Sequence, residues 1–240
     1  MIDSTEIARG IFRISMWDEE DLLKAKLLWP GATYNMFLIH GDKPAIIQTM
    51  LRRSFRRLRD RVKSILGSGE VSYIVVPHHE GDSSGAVNEW AEAAPGAEIL
   101  CSELCAALSL RDFSDKEPRV VADNEVVDLG SHRLRFFMTP QVNQWDSLMV
   151  YEEATGTLFP NDLFSAMGTH VTTDLDHSEA ALGAARHLGY QADDRASLKR
   201  ALDWIEKLDV KLIAPMHGPA VTAHLDKLLR TFRGQALALA

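Results

Sequence analysis

The stretch VVPHHEGDSSGA, residues 75–86, contains the side chains on which the fold assignment depends. Its first residues end VSYIVVP (71–77), a continuous apolar run that is typical of a strand buried on both faces. His78, Glu80 and Asp82 come directly after that strand. Because ligands of α/β proteins bind in the loops beyond the ends of strands, these side chains are placed for chemistry rather than for packing.

Two later segments have the same organisation. TLFPND places Asp162 after an apolar strand, and KLIAPMH places His217 after another. In an extended segment His78 and Glu80, two residues apart, point the same way. We therefore expect three carboxylates and two imidazoles to converge from three strand ends. Such an oxygen-rich set suits Fe(II), Mn(II) or Zn(II).

The rest of the chain predicts strands and helices in a definite order. Residues 11–16, 33–40 and 44–50 read as an antiparallel meander, and an amphipathic helix follows over 51–66. A helix is expected through AVNEWAEAA, then the strand EILCS and a helix to about Leu110. A second set of strands comprises EVVDL, RLRFFMT, SLMVYEE and GTLFP, and helices are expected at about 177–190, 194–207 and 220–233. We expect the strands of each half to form one of two packed sheets.

Composition limits the classes of protein. With 240 residues and 46% hydrophobic content, one large core is the default, so we expect a single domain over 1–240. The net charge of −8 argues against nucleic acid as a partner. No apolar run is long enough for a signal peptide or a membrane span, which predicts a cytoplasmic protein with no membrane partner. The arginine-rich face of 51–66 is more often a solvated helix face than a docking site.

The order H-x-E-x-D, then a strand ending in N-D, then a strand ending in H-G-P, resembles the ligand series of the metallo-β-lactamase fold as found in flavodiiron proteins. ATYNMFLI (32–39), WDSLMVY (145–151), LFPNDLFSAMGTH (158–170) and APMHGP (214–219) are similar to the same family. Hydrolases of this superfamily usually have histidine where Glu80 stands, so Glu80 favours the diiron branch. The resemblance implies a four-layer αββα sandwich of the α/β (α+β) class.

The resemblance also implies a ligand set. His78 and Glu80 would hold one metal, Asp82 and His217 the other, and Asp162 would bridge them. The cofactor would be iron, two per chain, with zinc or manganese as alternatives. A carboxylate bridge offsets the repulsion between two dications.

Two ligand positions of the family differ in this sequence. Ser83 stands in place of one histidine, and Asn143 in TPQVNQWDS stands in place of another. Neutral amide and hydroxyl oxygens are poor ligands for transition metals, so each metal would bind less tightly. Gln48 occupies the place of a common aspartate. The spare donors nearby are His79 and His170, and neither is expected to replace a missing ligand.

The family also implies partners. Flavodiiron enzymes continue into a flavodoxin-like domain that carries FMN, whereas we find no phosphate-binding loop for FMN in this sequence. We therefore expect O2 or NO as the small ligand, a separate redox partner protein, and a homodimer as in the family.

Three functions remain open. The first is a diiron protein that binds or reduces O2 or NO, as a reductase or a sensor. The second is a degenerate protein with weak or no metal and a regulatory or binding role, in which the carboxylates and histidines form a hydrogen-bonded polar cluster. The third is a metal-dependent hydrolase, in which a metal lowers the pKa of a water and Asp82 orients it.

Overall fold

The computed structural model describes residues 2–18, 32–166 and 194–238. The first sheet has seven strands in chain order within these residues: β1 Ile2–Ala8, β2 Ile11–Asp18, β3 Ala32–Ile39, β4 Ala45–Ile47, β5 Tyr73–Val75, β6 Glu98–Cys101 and β7 Arg119–Val120. The strands β1 to β4 are antiparallel neighbours, and β2 to β4 form the predicted meander. From β4 to β7 the pairing is parallel.

The second sheet contains the strands of the later part of the chain. They are β8 Val126–Asp128, β9 Arg133–Met138, β10 Leu148–Glu152, β11 Thr157–Phe159 and β12 Leu212–Ile213, and they neighbour one another in this order. The pairing is antiparallel up to β11 and parallel between β11 and β12. The division of the strands between two sheets is as predicted.

The helices lie between these strands in the chain. They are α1 Phe55–Leu66 after a 3₁₀ turn at Arg52–Ser54, α2 Val87–Ala93, α3 Glu103–Cys105, α4 Arg111–Phe113, α5 Arg195–Ile205 and α6 Leu225–Ala238. A π-helical turn, Ala106–Leu110, joins α3 to α4. In the described parts of the chain no helix has the length and apolar content needed to cross a bilayer.

Three apolar clusters separate four layers. Leu58, Val62 and Trp90 of α1 and α2 pack on the outer face of the first sheet. Phe37 and Phe159 lie between the two sheets, with ring centroids 5.0 Å apart. A third cluster packs α5 and α6 on the outer face of the second sheet. This arrangement is the predicted αββα sandwich, and fully burying each large aliphatic or aromatic side chain stabilises it by about 1.5–3 kcal/mol.

Strand β1 and the start of the last helix differ from the prediction. Strand β1 was not predicted, because IDSTEIA is polar and half-exposed, and the strand forms by pairing with β2. The last helix begins at Leu225 rather than near 220, because Val221 pairs with Ile213 in an antiparallel bridge. The helix predicted at about 177–190 lies outside the described residues.

The predicted site residues follow strands that end at one edge of the sandwich. The amide of Gln48 beyond β4 donates to the carbonyl of Val75 at 2.9 Å, which aligns the ends of β4 and β5. The amide of Leu148 at the start of β10 donates to the carbonyl of Pro77 at 3.0 Å. That bond joins the two sheets beside His78. The fold therefore brings strand ends of both sheets together at one edge.

The opposite end of β10 carries a network of contacts around a buried carboxylate. The carboxylate of Glu152 is fully buried and accepts hydrogen bonds from the amides of Ala154 and Thr155 at 2.9 and 2.8 Å. It also lies 3.1 Å from Nδ1 of His132. Burial opposes ionisation of Glu152, but the contacts with His132 and Thr155 outweigh it and lower its pKa from 4.5 to about 2. The network therefore stabilises the fold while Glu152 is ionised.

Replacing Glu152 by Gln should destabilise the protein by about 2–3 kcal/mol at pH 7, because the amide cannot accept all of these bonds. Because the pKa of Glu152 is lowered in the folded state, its carboxylate stabilises the fold above pH 4.5. This contribution is lost as the pH falls from 4.5 towards 2. The difference between wild type and Glu152→Gln in urea unfolding should therefore shrink over that range.

The matched control for this substitution is Glu70→Gln, at an exposed position. It should change the free energy of unfolding by less than about 0.5 kcal/mol at either pH. If the free energies of unfolding of wild type and Glu152→Gln differed by the same amount from pH 7 to pH 3, the stabilising role assigned to ionised Glu152 would be contradicted.

Candidate metal centre

The structure brings the five predicted residues together. Nε2 of His78 lies 3.4 Å from Oε2 of Glu80 and 3.5 Å from Oδ2 of Asp162. Nε2 of His217 lies 3.5 Å from Oδ2 of Asp82 and 3.4 Å from Oδ1 of Asp162. Asp162 thus lies between the two imidazoles, with one oxygen facing each. His78, Glu80 and Asp82 each offer a ligand atom within 4.8 Å of the others.

Charge dominates the chemistry of this cluster because His78, His217 and Asp162 are buried. Burial alone would lower the pKa of His78, but the adjacent carboxylate of Glu80 and the charges of Asp162 and Asp82 raise it to about 9. The pKa of His217 is likewise raised, because Asp162 and Asp82 outweigh its burial. Both imidazoles are therefore drawn towards the charged form by the carboxylates around them.

The pKa values of Asp82 and Asp162 are shifted in opposite directions. Burial is the main influence on Asp82 and raises its pKa, and the negative charge of Asp162 adds to this. Asp162 is also buried, but its contact with His217 and the charge of His78 hold its pKa below the ordinary value. Asp162 is therefore the carboxylate that remains ionised between the two imidazoles.

His217 is oriented by strand β3. Its Nδ1 lies 3.0 Å from the carbonyl of Thr33, and its ring packs edge-on against Tyr34 with centroids 5.3 Å apart. A hydrogen bond from Nδ1 to this carbonyl turns Nε2 towards Asp82 and Asp162, where Nε2 carries a proton in the charged form of the ring and has a free lone pair in the neutral form. The ring is thus held with one nitrogen facing the cluster.

Asn35 clamps the loop that carries His217. Its side-chain amide donates to the carbonyls of Pro215 at 2.9 Å and Gly218 at 2.7 Å, and its oxygen accepts from the hydroxyl of Ser15 at 2.7 Å. Gly218 has a φ of +86°, and a Cβ there would lie 2.7 Å from the carbonyl oxygen of Ala166. Sequence reasoning missed Asn35. Its only signal was one amide inside the apolar strand ATYNMFLI.

The loop that carries Glu80 and Asp82 is fixed against the end of β4. The carbonyl of Ser83 accepts from the amide of Thr49 at 2.8 Å and from its hydroxyl at 2.9 Å. The hydroxyl and the amide of Ser84 both donate to the carbonyl of Glu80, at 2.9 and 2.8 Å. The two carboxylates of this loop are therefore presented by a closed turn.

Asn143 reaches the cluster as a hydrogen-bond donor. Its amide nitrogen lies 2.6 Å from Oδ2 of Asp162. The next side chain, Gln144, donates to Oε1 of Glu80. Sequence reasoning placed Asn143 here but missed Gln144, which nothing in the pattern distinguished from other loop amides. Two amides therefore contact the carboxylates on the side where the family resemblance implies an imidazole.

The other positions considered from the sequence make no described side-chain contact with the five clustered residues. Ser83 is fully buried, and its hydroxyl has no hydrogen-bond partner among the described residues. Gln48 is buried beside the strand end, and its side-chain oxygen is also unpartnered there. His79 is exposed, with Nδ1 bonded to the hydroxyl of Ser109 and its ring 5.4 Å from that of Phe113. His79 therefore points away from the cluster, as expected, and His170 lies outside the described residues.

The backbone around the site is strained. Non-glycine residues with φ near +65°, a conformation that costs energy, are concentrated in the loops of this edge: Gln48, Met50, Gln141, Asn143, Asn161 and Phe164. Asn161 and Phe164 flank Asp162, and the amide of Met216 donates to the carbonyl of Asn161 at 2.9 Å. Strain of this kind clusters at functional sites, where the surrounding structure holds it in place.

The residues present fit a divalent metal. Within the described residues, neither ring nitrogen of His78 makes a hydrogen bond, and neither does Oδ1 of Asp162. Unpaired buried polar atoms are costly, and a cation at the centre would engage them. Carboxylate oxygens with imidazole nitrogens form a donor set that suits Fe(II), Mn(II) or Zn(II). His78, Glu80, Asp82, Asp162 and His217 are the residues able to hold such an ion.

The fold and the residues at its edge define a metallo-β-lactamase-fold protein with a flavodiiron-type core. The sequence model of the family described as ODP family beta lactamase matches residues 32–218, and the chain belongs to that family. The nitric oxide reductase of Moorella thermoacetica is 32% identical over 202 residues, which are 78% of this chain and 49% of that protein.

Solved flavodiiron proteins share the fold. The flavo di-iron protein of Thermotoga maritima, solved as a point mutant, has a TM-score of 0.84 at 20% identity, over 98% of this chain and 62% of that one. Rubredoxin oxygen:oxidoreductase of Desulfovibrio gigas has a TM-score of 0.85 at 19% identity, with the same coverage. The chain spans less than half the length of the diflavin flavoproteins and the nitric oxide reductase that it matches.

Asn35→Ala should free the His217 loop, because it leaves two buried carbonyls without their donor. We expect a loss of about 2–4 kcal/mol in urea unfolding and faster hydrogen exchange across residues 215–219. Ser15→Ala is the matched control, since it removes one bond to Asn35 and leaves both carbonyl bonds in place. It should cost about 1–2 kcal/mol without changing exchange in the loop. Equal exchange in the two variants would contradict the clamp.

Proposed function

We propose that this chain is a flavodiiron-core protein that holds a dinuclear iron centre and binds or reduces O2 or NO. The observation that carries the proposal is the position of Asp162 between two buried imidazoles, with Glu80 against one and Asp82 against the other. In this proposal His78 and Glu80 would hold one metal and Asp82 and His217 the second, with Asp162 shared between them. Zinc or manganese is the alternative metal.

The names of related proteins support the choice of substrate. A nitric oxide reductase and a rubredoxin oxygen:oxidoreductase are among the proteins to which this chain is similar. A ferrous pair would supply two electrons towards the reduction of O2 or NO. Electrons would come from a separate redox protein. The proposal further takes residues 1–240 as one domain and the protein as a cytoplasmic homodimer.

The chain's own residues have defined tasks in this proposal. The carbonyl of Thr33 orients His217 so that Nε2 faces the centre. Asn143 and Gln144 hold the carboxylates of Asp162 and Glu80 in place. The half-exposed Glu80 marks the side from which a small gas reaches the centre, since its side chain is 35% exposed while those of Asp162 and His78 are closed to solvent.

A metal-free binding protein is the second candidate, and one observation favours it. The cluster offsets its own charge, because the raised pKa values of His78 and His217 place imidazolium beside the carboxylates. The amides of Asn143 and Gln144 satisfy two more carboxylate oxygens. Such a cluster is able to persist without a cation, so metal content decides between the two candidates.

Metal content of anaerobically purified, untagged protein tests the proposal. We expect close to two irons per chain by plasma mass spectrometry, and a loss of most of the iron in Asp162→Ala, because both metals depend on that carboxylate. Asp112→Ala removes an exposed carboxylate and should keep the wild-type content. Less than about a tenth of an equivalent of any transition metal in the wild type would favour the metal-free protein.

Asn143→His should tighten metal binding by at least about tenfold, because it restores an imidazole within reach of Asp162. Iron retention during chelator competition measures the change. Gln141→His is the control, since Gln141 lies on the same loop, is exposed and has a nearly equal φ of +67° against +66° for Asn143. It places the same side chain in the same strained backbone away from the cluster. Equal retention in both variants would contradict the role of position 143.

A further inference from the structure

Charge is strongly segregated on this chain. Residues 52–66, the 3₁₀ turn and α1, contain seven basic residues and one acidic residue, so they carry +6 while the rest of the chain carries −14. A segment of 15 residues therefore has a net charge opposite in sign to that of the rest of the chain. Complementary potentials of this kind steer association and select partners.

The basic side chains of α1 face solvent because the apolar side of the helix is buried. Leu58, Val62 and Leu66 pack into the core of the first sheet. Arg56 and Lys63 lie seven residues apart, on the same side of the helix, and both are exposed. Large exposed hydrophobic side chains of the described residues lie on the helical run 103–113 and not on α1. The exposed face of α1 therefore offers charge without an apolar anchor for a membrane.

Several of these cations are available to a partner. Arg52 pairs with Glu89, and Arg59 pairs with its neighbour Asp60. Among the described residues, Arg56, Arg61 and Lys63 have no carboxylate within ion-pair distance. A surface arginine or lysine without an intramolecular partner is free to pair across an interface.

The segment that leads into α1 adjoins the loop that carries Glu80 and Asp82. The segment that enters α1 packs against the ligand loop, since Thr49 bonds to the carbonyl of Ser83 and Leu51 lies 4.0 Å from the position of a Cβ on Gly81. A groove of about 780 Å³ extends from Arg52 past Glu89 to Phe113 and Lys116. A protein bound on the first turns of α1 would therefore lie beside the loop that carries Glu80 and Asp82.

We propose that the exposed basic face of α1, with Arg56 and Lys63 at its centre, is the docking surface for the acidic face of an electron-carrier protein. The inference rests on the proposed redox function, which requires an electron donor close to the metal centre. A nucleic acid is disfavoured because a duplex longer than α1 would also meet the rest of the chain, whose net charge of −14 includes the three site carboxylates. The acidic face of a small protein is able to contact the basic face without meeting the rest of the chain.

Binding of two defined acidic probes tests the surface on the purified holoprotein. The probes are a reduced rubredoxin and a fluorescent polyglutamate peptide of about 20 residues, titrated at about 50 mM and about 500 mM NaCl. Arg56→Glu with Lys63→Glu should weaken binding at low salt at least about tenfold, and the difference should vanish at high salt. Arg195→Glu with Lys207→Glu is the matched control. It makes the same charge change at two exposed positions that have no described ion pair.

The outcomes separate this inference from the proposed function. Gas consumption driven by dithionite bypasses docking, so it should be equal in the wild type and both double variants. Loss of binding in the α1 variant alone, with dithionite-driven turnover intact, supports the docking surface. Equal weakening in both variants, or no saturable binding of either probe to the wild type, overturns it. Absence of dithionite-driven turnover in all proteins would instead count against the redox function.

Discussion

The mutual repulsion of three carboxylates within a few ångströms is the constraint on which the site depends. Glu80, Asp82 and Asp162 are brought together only because buried imidazoles of His78 and His217 lie between them. The cost of burying this charge is offset by ion pairing and by donors from the surrounding loops. The same balance makes the cluster receptive to a divalent cation, since a metal replaces the protons that otherwise neutralise it.

Both sheets contribute to holding these side chains in place. Strand β3 of the first sheet orients and clamps the His217 loop through the carbonyl of Thr33 and the amide of Asn35, although His217 follows a strand of the second sheet. At the far end of β10, buried Glu152 stabilises the sandwich through a network that does not touch the site. Both sheets thus fix the loops at the site edge, and this holds the residues with positive φ in their strained conformation.

The side-chain amides of Asn143 and Gln144 distinguish this site from one with a full set of histidine ligands. Asn143 donates to Asp162, so in this arrangement its amide nitrogen holds that carboxylate in place. An amide has both a donor and an acceptor, and rotation by about 180° would present its oxygen to a cation. A neutral oxygen binds more weakly than an imidazole, so the centre would exchange metal more readily than one with a full histidine set. The segment that leads into the basic helix α1 packs against the loop of Glu80 and Asp82, on a molecule that is otherwise acidic.

The sequence by itself determined the order of the elements, the two-sheet fold and the five residues of the cluster. Local periodicity specifies strands and helices, and strand ends of parallel neighbours meet at one edge whatever the loop lengths. Only the tertiary structure decided that Asn35 clamps a loop some 180 residues away, that Gln144 contacts Glu80, and that β1 is a strand. These depend on pairing between distant segments, and a single amide or a polar edge strand has no local pattern that records its partner.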